Sequence, residues 1–310
     1  MTISAWVFPG QGSQSLGMLA DLAAEFPLVR DTFAEASAAL GKDLWQLAQH
    51  GPEADLNATE NTQPLLLTAG IAVWRVWLQQ GGARPAFVAG HSLGEYTALV
   101  AAGVLTLADG VRLVAERGRL MQAAVPAGQG AMAAILGLED AQVVAVCAEA
   151  AQGEVVSAVN FNAPGQVVIA GAAAAVERAI AGCKAAGAKR ALPLPVSAPS
   201  HCALMLPAAE QLAARLAALD LHAPVIPVVQ NVAARIEADG AALRDALVRQ
   251  LHSPVLWVQC VETLAGLGVT RFIESGPGKV LTGLDKRIAK DAEHLSVETA
   301  ESLKAALGAV

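Results

Sequence analysis

Short runs of strand length alternate along this chain with longer stretches of helical period. Ile3–Phe8, Ala86–Ala89, Ile226–Gln230 and Arg271–Glu274 are predicted as buried strands. Between them lie helices such as Pro64–Gln79, with Pro64 in the first turn and Gly81 just past the end. Strands alternating with helices predict an α/β fold with a mostly parallel sheet covered on both faces.

Residues 128–197 follow a rhythm of their own. A strand at Ala131–Leu136 precedes a helix at Glu139–Ala151, and strands Val155–Phe161 and Val167–Ala170 flank a turn at Asn162–Gly165. A helix at Ala172–Ala186 and a strand at Ala191–Val196 complete the order β-α-β-β-α-β, the ferredoxin-like unit. Pro126-Ala-Gly128 and Pro193/Pro195 supply plausible hinges. The expected organisation is a large domain from residues 1–127 and 198–310 with a small ferredoxin-like subdomain, 128–197, inserted in it. A cleft between the two is a natural substrate site.

Composition narrows the class. Hydrophobic residues are 54% and charged residues 16% of the chain, enough for a sizeable core and against disorder. The net charge of -7 argues against nucleic-acid binding, though an acidic partner can still dock on a local basic patch. Cys147, Cys183, Cys202 and Cys260 are scattered with no CxxC pair, so neither a metal site nor a disulfide framework is expected. Met1–Phe8 has no basic leader and reads as a strand, so no signal peptide is expected. The longest uncharged stretch, between Glu154 and Glu177, is broken by Asn160, Asn162, Pro164 and Gln166, which disqualifies it as a membrane span. A soluble, cytoplasmic monomer is expected.

The chemistry concentrates at Gly90-His-Ser92-Leu-Gly94, which follows a strand and opens the helical run Leu93–Ala102. A sharp strand-to-helix turn presents the serine hydroxyl, and the Leu93 amide points towards charge developing at an attacked carbonyl. The competing reading is a helix cap, because Ser92-x-x-Glu95 also has capping-box spacing. Serine needs a base. His201, in Ser197-Ala-Pro-Ser-His201, lies where the small segment returns to the large one, with His222 and His252 as rivals. No carboxylate stands out as a third member, and a backbone or amide carbonyl can orient the imidazole instead. Cys202, beside His201, is a rival nucleophile.

Leu107–Ala123 reads as a helix with Thr106 as N-cap. Leu113, Val114, Leu120 and Met121 surround Arg117 on its apolar face, while Arg112 and Arg119 share the far side. A cation centred there needs an anion, either a protein carboxylate or a substrate carboxylate held bidentately. Phe8-Pro-Gly-Gln11-Gly-Ser-Gln14 lacks the lysine of a P-loop, and its backbone, including the Gln11 amide, can instead approach a ligand. Gly276-Pro-Gly-Lys279 joins a strand to a helix expected to align Lys279, Lys286 and Lys290, with Arg287 close by. Lys184, Lys189 and Arg190 form a second basic group.

Together these segments, with Arg117-Gly-Arg-Leu-Met121, Asn160-Phe-Asn-Ala-Pro-Gly-Gln166, Gln250-Leu-His-Ser-Pro-Val255 and Gly276-Pro-Gly-Lys-Val-Leu281, resemble the malonyl-CoA:acyl carrier protein transacylase family over essentially the whole chain. Where the resemblance leads one to expect valine, this chain has Ala198. The resemblance implies a hydrolase-like α/β catalytic domain with the ferredoxin-like insertion. It implies Ser92 as acyl nucleophile, His201 as base, Arg117 as ligand of the malonyl carboxylate, and the amides of Gln11 and Leu93 as oxyanion hole. Gln250 would orient His201. The implied partners are malonyl-CoA and the phosphopantetheine thiol of an acyl carrier protein, served in turn by a ping-pong cycle without cofactor. Lys279, Lys286, Arg287, Lys290, Lys189 and Arg190 are candidates for docking the carrier or coenzyme A. A thioester hydrolase and a non-catalytic acyl-binding subunit are the alternatives, and selection between malonyl and methylmalonyl is not legible.

Overall fold

A computed structural model describes residues 2–196, 198–237 and 239–309. Ser197, in one of the motifs quoted above, lies outside them.

The nine strands among the described residues form two sheets. They are β1 (Ser4–Phe8), β2 (Phe87–Gly90), β3 (Gly130–Leu136), β4 (Val156–Ala163), β5 (Gln166–Ala172), β6 (Arg190–Pro193), β7 (Val228–Val229), β8 (Arg271–Ser275) and β9 (Glu293–Val297). The larger sheet runs β7-β2-β1-β8-β9, with every pairing parallel. Its central strand is buried on both faces, Ala5 to Phe8 without a break, as a parallel strand between helical layers must be. Trp6 packs against Trp74 and Trp77 of the Thr59–Gln79 helix, each with ring centroids 5.1 Å apart. Each such aromatic contributes roughly 2–3 kcal/mol of burial.

The smaller sheet runs β4-β5-β3-β6, all antiparallel, with the Asp140–Ala151 and Ala173–Ala185 helices over a core that includes Ile135, Val143, Ile169 and Val176. That order is the ferredoxin-like one. It is joined to the large sheet's side along β4, where Phe161 N donates to Val255 O at 3.0 Å and Val255 N to Val159 O at 2.8 Å.

Several expected boundaries move, each for a backbone reason. The helix expected from Pro64 begins at Thr59, so Pro64 lies inside it; the amide it lacks would have bonded the carbonyl of Glu60, an exposed residue. The strand expected over Ile226–Gln230 shrinks to Val228–Val229, because Pro227 offers only its carbonyl, to Val88 N. The strand expected to reach Val196 ends at Pro193, as Pro193 and Pro195 cannot donate to a ladder. The expected four-residue turn tightens to Pro164–Gly165, with Ala163 paired to Gln166 and Gly165 at a φ of 68°. β9 was not predicted, because Glu293-His-Leu-Ser-Val297 is a half-exposed edge without an apolar run. Among the described residues no helix is long and apolar enough to cross a membrane.

Candidate active site

β2 ends at Gly90 and the next helix starts at Leu93, so the chain reverses within two residues. A Cβ on Gly90 would lie 1.9 Å from the Gly94 backbone, and one on Gly94 would lie 1.9 Å from Phe8 O. Only hydrogen fits at either position. Gly94→Ala is therefore expected to destabilise the fold by more than about 3 kcal/mol, read as a lower urea midpoint; an unchanged midpoint would mean the turn relaxes freely.

The tight turn puts Ser92 at φ 51°, ψ −106°, a strained conformation for a side-chain-bearing residue. Its backbone is held from both sides: Ser92 N donates to Asn231 Oδ1 at 2.7 Å, and Ser92 O accepts from Gln250 Nε2 at 2.9 Å. The hydroxyl makes no cap bond, and Glu95 faces Asn231 and Gln250 instead, so the capping-box reading fails. Ser92 Oγ sits 2.7 Å from His201 Nε2.

His201 also has positive φ, 66°, and is 2% exposed. Its Nδ1 lies 2.7 Å from the backbone carbonyl of Gln250. A carbonyl only accepts, so Nδ1 carries the hydrogen and Nε2 presents its lone pair to the serine. The orienting group is thus the main chain of Gln250, while the side chain does other work. Burial first, and then the charge of Arg117, depress the His201 pKa to about 3, which keeps the imidazole neutral with its Nε2 lone pair available, though it makes the ring a weaker base. The arrangement can take the Ser92 proton.

Arg117 is 1% exposed in the Leu107–Ala124 helix, whose N-cap Thr106 accepts from Asp109 N at 3.0 Å. Arg112 and Arg119 reach the surface, as their phase predicts. The Arg117 guanidinium donates to Gln63 Oε1 at 2.8 Å, Gln250 Oε1 at 3.0 Å and Ser92 Oγ at 3.3 Å, and lies 5.3 Å from the Tyr96 ring centroid. Among the described residues its Nε has no partner, and it forms no ion pair with a carboxylate. Of the two readings of this buried cation, the protein salt bridge is not made.

A cavity of about 110 Å³ opens beside Ser92, with room for a short acyl group. Gln11, Ser92, Leu93, Arg117, Ala198 and His201 line it from one side, and Met132, Asn160, Leu194 and Val196 from the smaller sheet's segment. Since the Ser92 amide is committed to Asn231, the Leu93 amide, first of its helix, remains without an intrahelical acceptor.

A family model for the acyl transferase domain matches residues 5–303. The malonyl CoA-acyl carrier protein transacylase of Salmonella typhimurium is 62% identical over 307 residues, covering 99% of both chains. The crystal structure of malonyl-CoA:acyl carrier protein transacylase from Xanthomonas oryzae superposes with a TM-score of 0.98 at 59% identity, over 100% of this chain and 98% of that one. A malonyl-transacylase in complex with its type II polyketide acyl-carrier protein superposes at 0.99 and 57% identity, over the whole of both. The chain belongs to the malonyl CoA-acyl carrier protein transacylase family. It is an acyltransferase with the mixed α/β fold of that family.

Within this transacylase site the rivals fall away. His222 and His252 do not line the cavity. The Cys202 thiol donates to Pro199 O at 3.2 Å, packs with Met132 and Val159, and is pushed up to about 11 by burial. Among the described residues no group of side chains could hold a metal ion.

The docking candidates lie outside the cavity and differ from one another. Lys286 is exposed in the Val280–Ile288 helix, Lys279 is its N-cap, and Lys290 falls past its end, so the expected stripe of three is a pair. Arg287 is spent: it donates to Gln166 Oε1 and Pro164 O, each at 2.5 Å, tying this helix to the β4–β5 turn. Lys184, Lys189 and Arg190 are exposed.

Sequence reasoning missed Asn231, Gln63 and the linkage through Glu95. It also gave no role to His91, whose Nε2 donates to Asn162 Oδ1 at 2.7 Å in the wall of the cavity. Only the Glu95 of the elbow motif carried a signal, as a carboxylate in an otherwise apolar helix start.

Proposed function

We propose that this chain transfers a malonyl group from malonyl-CoA to the phosphopantetheine thiol of an acyl carrier protein, through a malonyl ester on Ser92. The observation that carries this reading is a buried guanidinium that touches no carboxylate among the described residues, 3.3 Å from the Ser92 hydroxyl. A short acyl group with a terminal carboxylate fits there as a bidentate ligand of Arg117.

In the first half-reaction His201 Nε2 takes the Ser92 proton as Oγ attacks the thioester carbonyl. The tetrahedral oxyanion is met by the amides of Gln11 and Leu93. His201 then returns the proton to the departing coenzyme A sulfur. The second half repeats these steps with the carrier thiol attacking the malonyl ester. The cycle is ping-pong and needs neither metal nor organic cofactor. Residues 128–197 serve as the small subdomain that closes one wall of the cleft against the catalytic domain of residues 1–127 and 198–310. The chain acts as a monomer in this reading, and four free, buried cysteines suit the reducing cytoplasm. The malonyl group supplied serves fatty-acid or polyketide synthesis.

Incubating malonyl-CoA with and without carrier protein tests the reading. Malonyl-carrier formation supports it, whereas free malonate with no transfer would make the protein a hydrolase.

Carrier proteins are acidic, so docking on this acidic chain needs a local basic surface. Arg287 holds Gln166, Gln166 pairs with Leu136 on β3, and Leu136 pairs with Arg190 on β6. Gln166 and Arg190 therefore sit about two strand spacings apart, ~10 Å, at one end of the small sheet, with Lys189 beside Arg190 and Lys286 next to the Arg287 that reaches Gln166. Reversing these three charges is expected to slow the carrier half-reaction by about tenfold or more at low salt, and malonylation by CoA much less. An unchanged carrier step and salt dependence would make this end a solvated face. Arg287 is left intact because its loss would disturb the turn it holds.

A further inference from the structure

Glu95, third residue of the Leu93–Ala101 helix, has no exposed surface. Its Oε2 accepts from Asn231 N at 2.8 Å and from Gln250 Nε2 at 3.1 Å, while Oε1 has no hydrogen-bond partner among the described residues. Gln250 faces the opposite way with its oxygen, which accepts from Arg117 Nη2 at 3.0 Å. One side-chain amide thus joins a buried cation to a buried acid, its oxygen towards the guanidinium and its NH2 towards the carboxylate. The same two neighbours of Glu95 hold the Ser92 amide, the Ser92 carbonyl and the His201 ring.

A guanidinium and a carboxylate so linked balance each other without touching. A second carboxylate entering at Arg117 leaves two buried anions against one buried cation. Neutralising the less solvated acid relieves that imbalance at least cost. We propose that Glu95 is the resting counter-charge of Arg117, and that it takes up a proton on the unpartnered Oε1 when the substrate carboxylate replaces it. This rests on the malonyl reading above. The proton comes from water or buffer and forms one O–H bond. Acyl transfer moves the serine hydrogen onto the coenzyme A thiol, whose partial ionisation at pH 8 releases the same fraction of a proton with malonyl-CoA and with acetyl-CoA.

The neighbouring groups leave Glu95 as the one that exchanges a proton near neutrality. Burial, opposed by the bonds from Asn231 and Gln250 and by the charge of Arg117, raises its pKa to about 7. Tyr96 is pushed up to about 12 and Cys260 well above its usual range, both chiefly by burial. Arg117 is lowered by burial but has its carboxylate and Tyr96 as supports for the charged form. His201, at about 3, stays neutral above pH 7 even after an anion raises it somewhat. The sign follows: an acid with a raised pKa is ionised above it, a new anion nearby raises it further, and loading must then draw in a proton. Malonyl loading should weaken with rising pH above about 7, by up to about tenfold per unit, and acetyl loading should not.

The experiment measures proton uptake at pH 8, by calorimetry in buffers of different ionisation enthalpy, while intact mass records acylation in the same samples. Wild type with malonyl-CoA, wild type with acetyl-CoA, and Glu95→Gln with malonyl-CoA are compared. Per acyl-enzyme, wild type with malonyl-CoA should take up more than about half a proton relative to wild type with acetyl-CoA, and Glu95→Gln with malonyl-CoA should match the acetyl sample. Equal uptake with acetyl-CoA, or in Glu95→Gln, overturns the proposal, and the two wild-type measurements decide it even if the variant folds poorly. Malonyl loading without uptake overturns it and leaves the transferase reading standing. No malonyl on Ser92 overturns both.

Discussion

Replacing Ser92 with alanine is expected to abolish the malonyl-enzyme and to lower transfer by at least about 10⁴-fold, the scale seen when an activated nucleophile is removed. The fold should survive. The bonds that hold the turn use the Ser92 amide and carbonyl, which alanine keeps. No second nucleophile stands ready: Cys202 is buried, bonded to Pro199 O and held as a thiol by a pKa of about 11. Intact mass after mixing with malonyl-CoA reads the result. A malonyl adduct persisting on the variant would move the nucleophile elsewhere, and Cys202 would be checked first.

Arg117→Ala is expected to reverse acyl preference rather than to kill the enzyme. A bidentate charge-assisted pair in a buried site is worth a few kcal/mol, so malonyl transfer should fall by about 10²-fold or more. Acetyl-CoA has no carboxylate to lose, and its transfer should stay level or rise. The groups that touch the guanidinium, Gln63, Gln250 and Ser92, are neutral, and Glu95, linked to it only through Gln250, can take up a proton once the cation is gone. Arg117→Lys keeps the charge without the planar fork and should fall between the two. Rates for both acyl groups, measured on the same preparations, check this. Equal losses would make Arg117 structural.

The parts of the fold that a sequence reveals are those in which local preference and tertiary need coincide. β1, the elbow after β2 and the Leu107–Ala124 helix were legible because burial, turn geometry and helical phase agree there. Boundaries moved where proline interrupts one side of a ladder, at Pro227 and Pro195, and where it is tolerated inside a helix, at Pro64. β9 escaped because an edge strand needs no apolar alternation. The site divides in the same way. Ser92 and Arg117 announce themselves through spacing, whereas His201 owes its prominence to family resemblance. The Gln250 carbonyl and Asn231 are invisible in one dimension. Their roles depend on main-chain atoms and on contacts 49 and 139 residues away in the chain.

The bond from Arg287 to the β4–β5 turn bears on modular exchange. Gln166 and the Pro164 carbonyl lie at the β4–β5 turn of the smaller sheet, and Arg287 lies on the Val280–Ile288 helix. A chimera that swaps residues 128–197 between relatives carries half of this latch and inherits the other half from its host. Grafts that match glutamine with arginine across the seam should seat the donor wall squarely over Ser92. Mismatched grafts lose the bond between the Val280–Ile288 helix and the β4–β5 turn and should align that wall poorly.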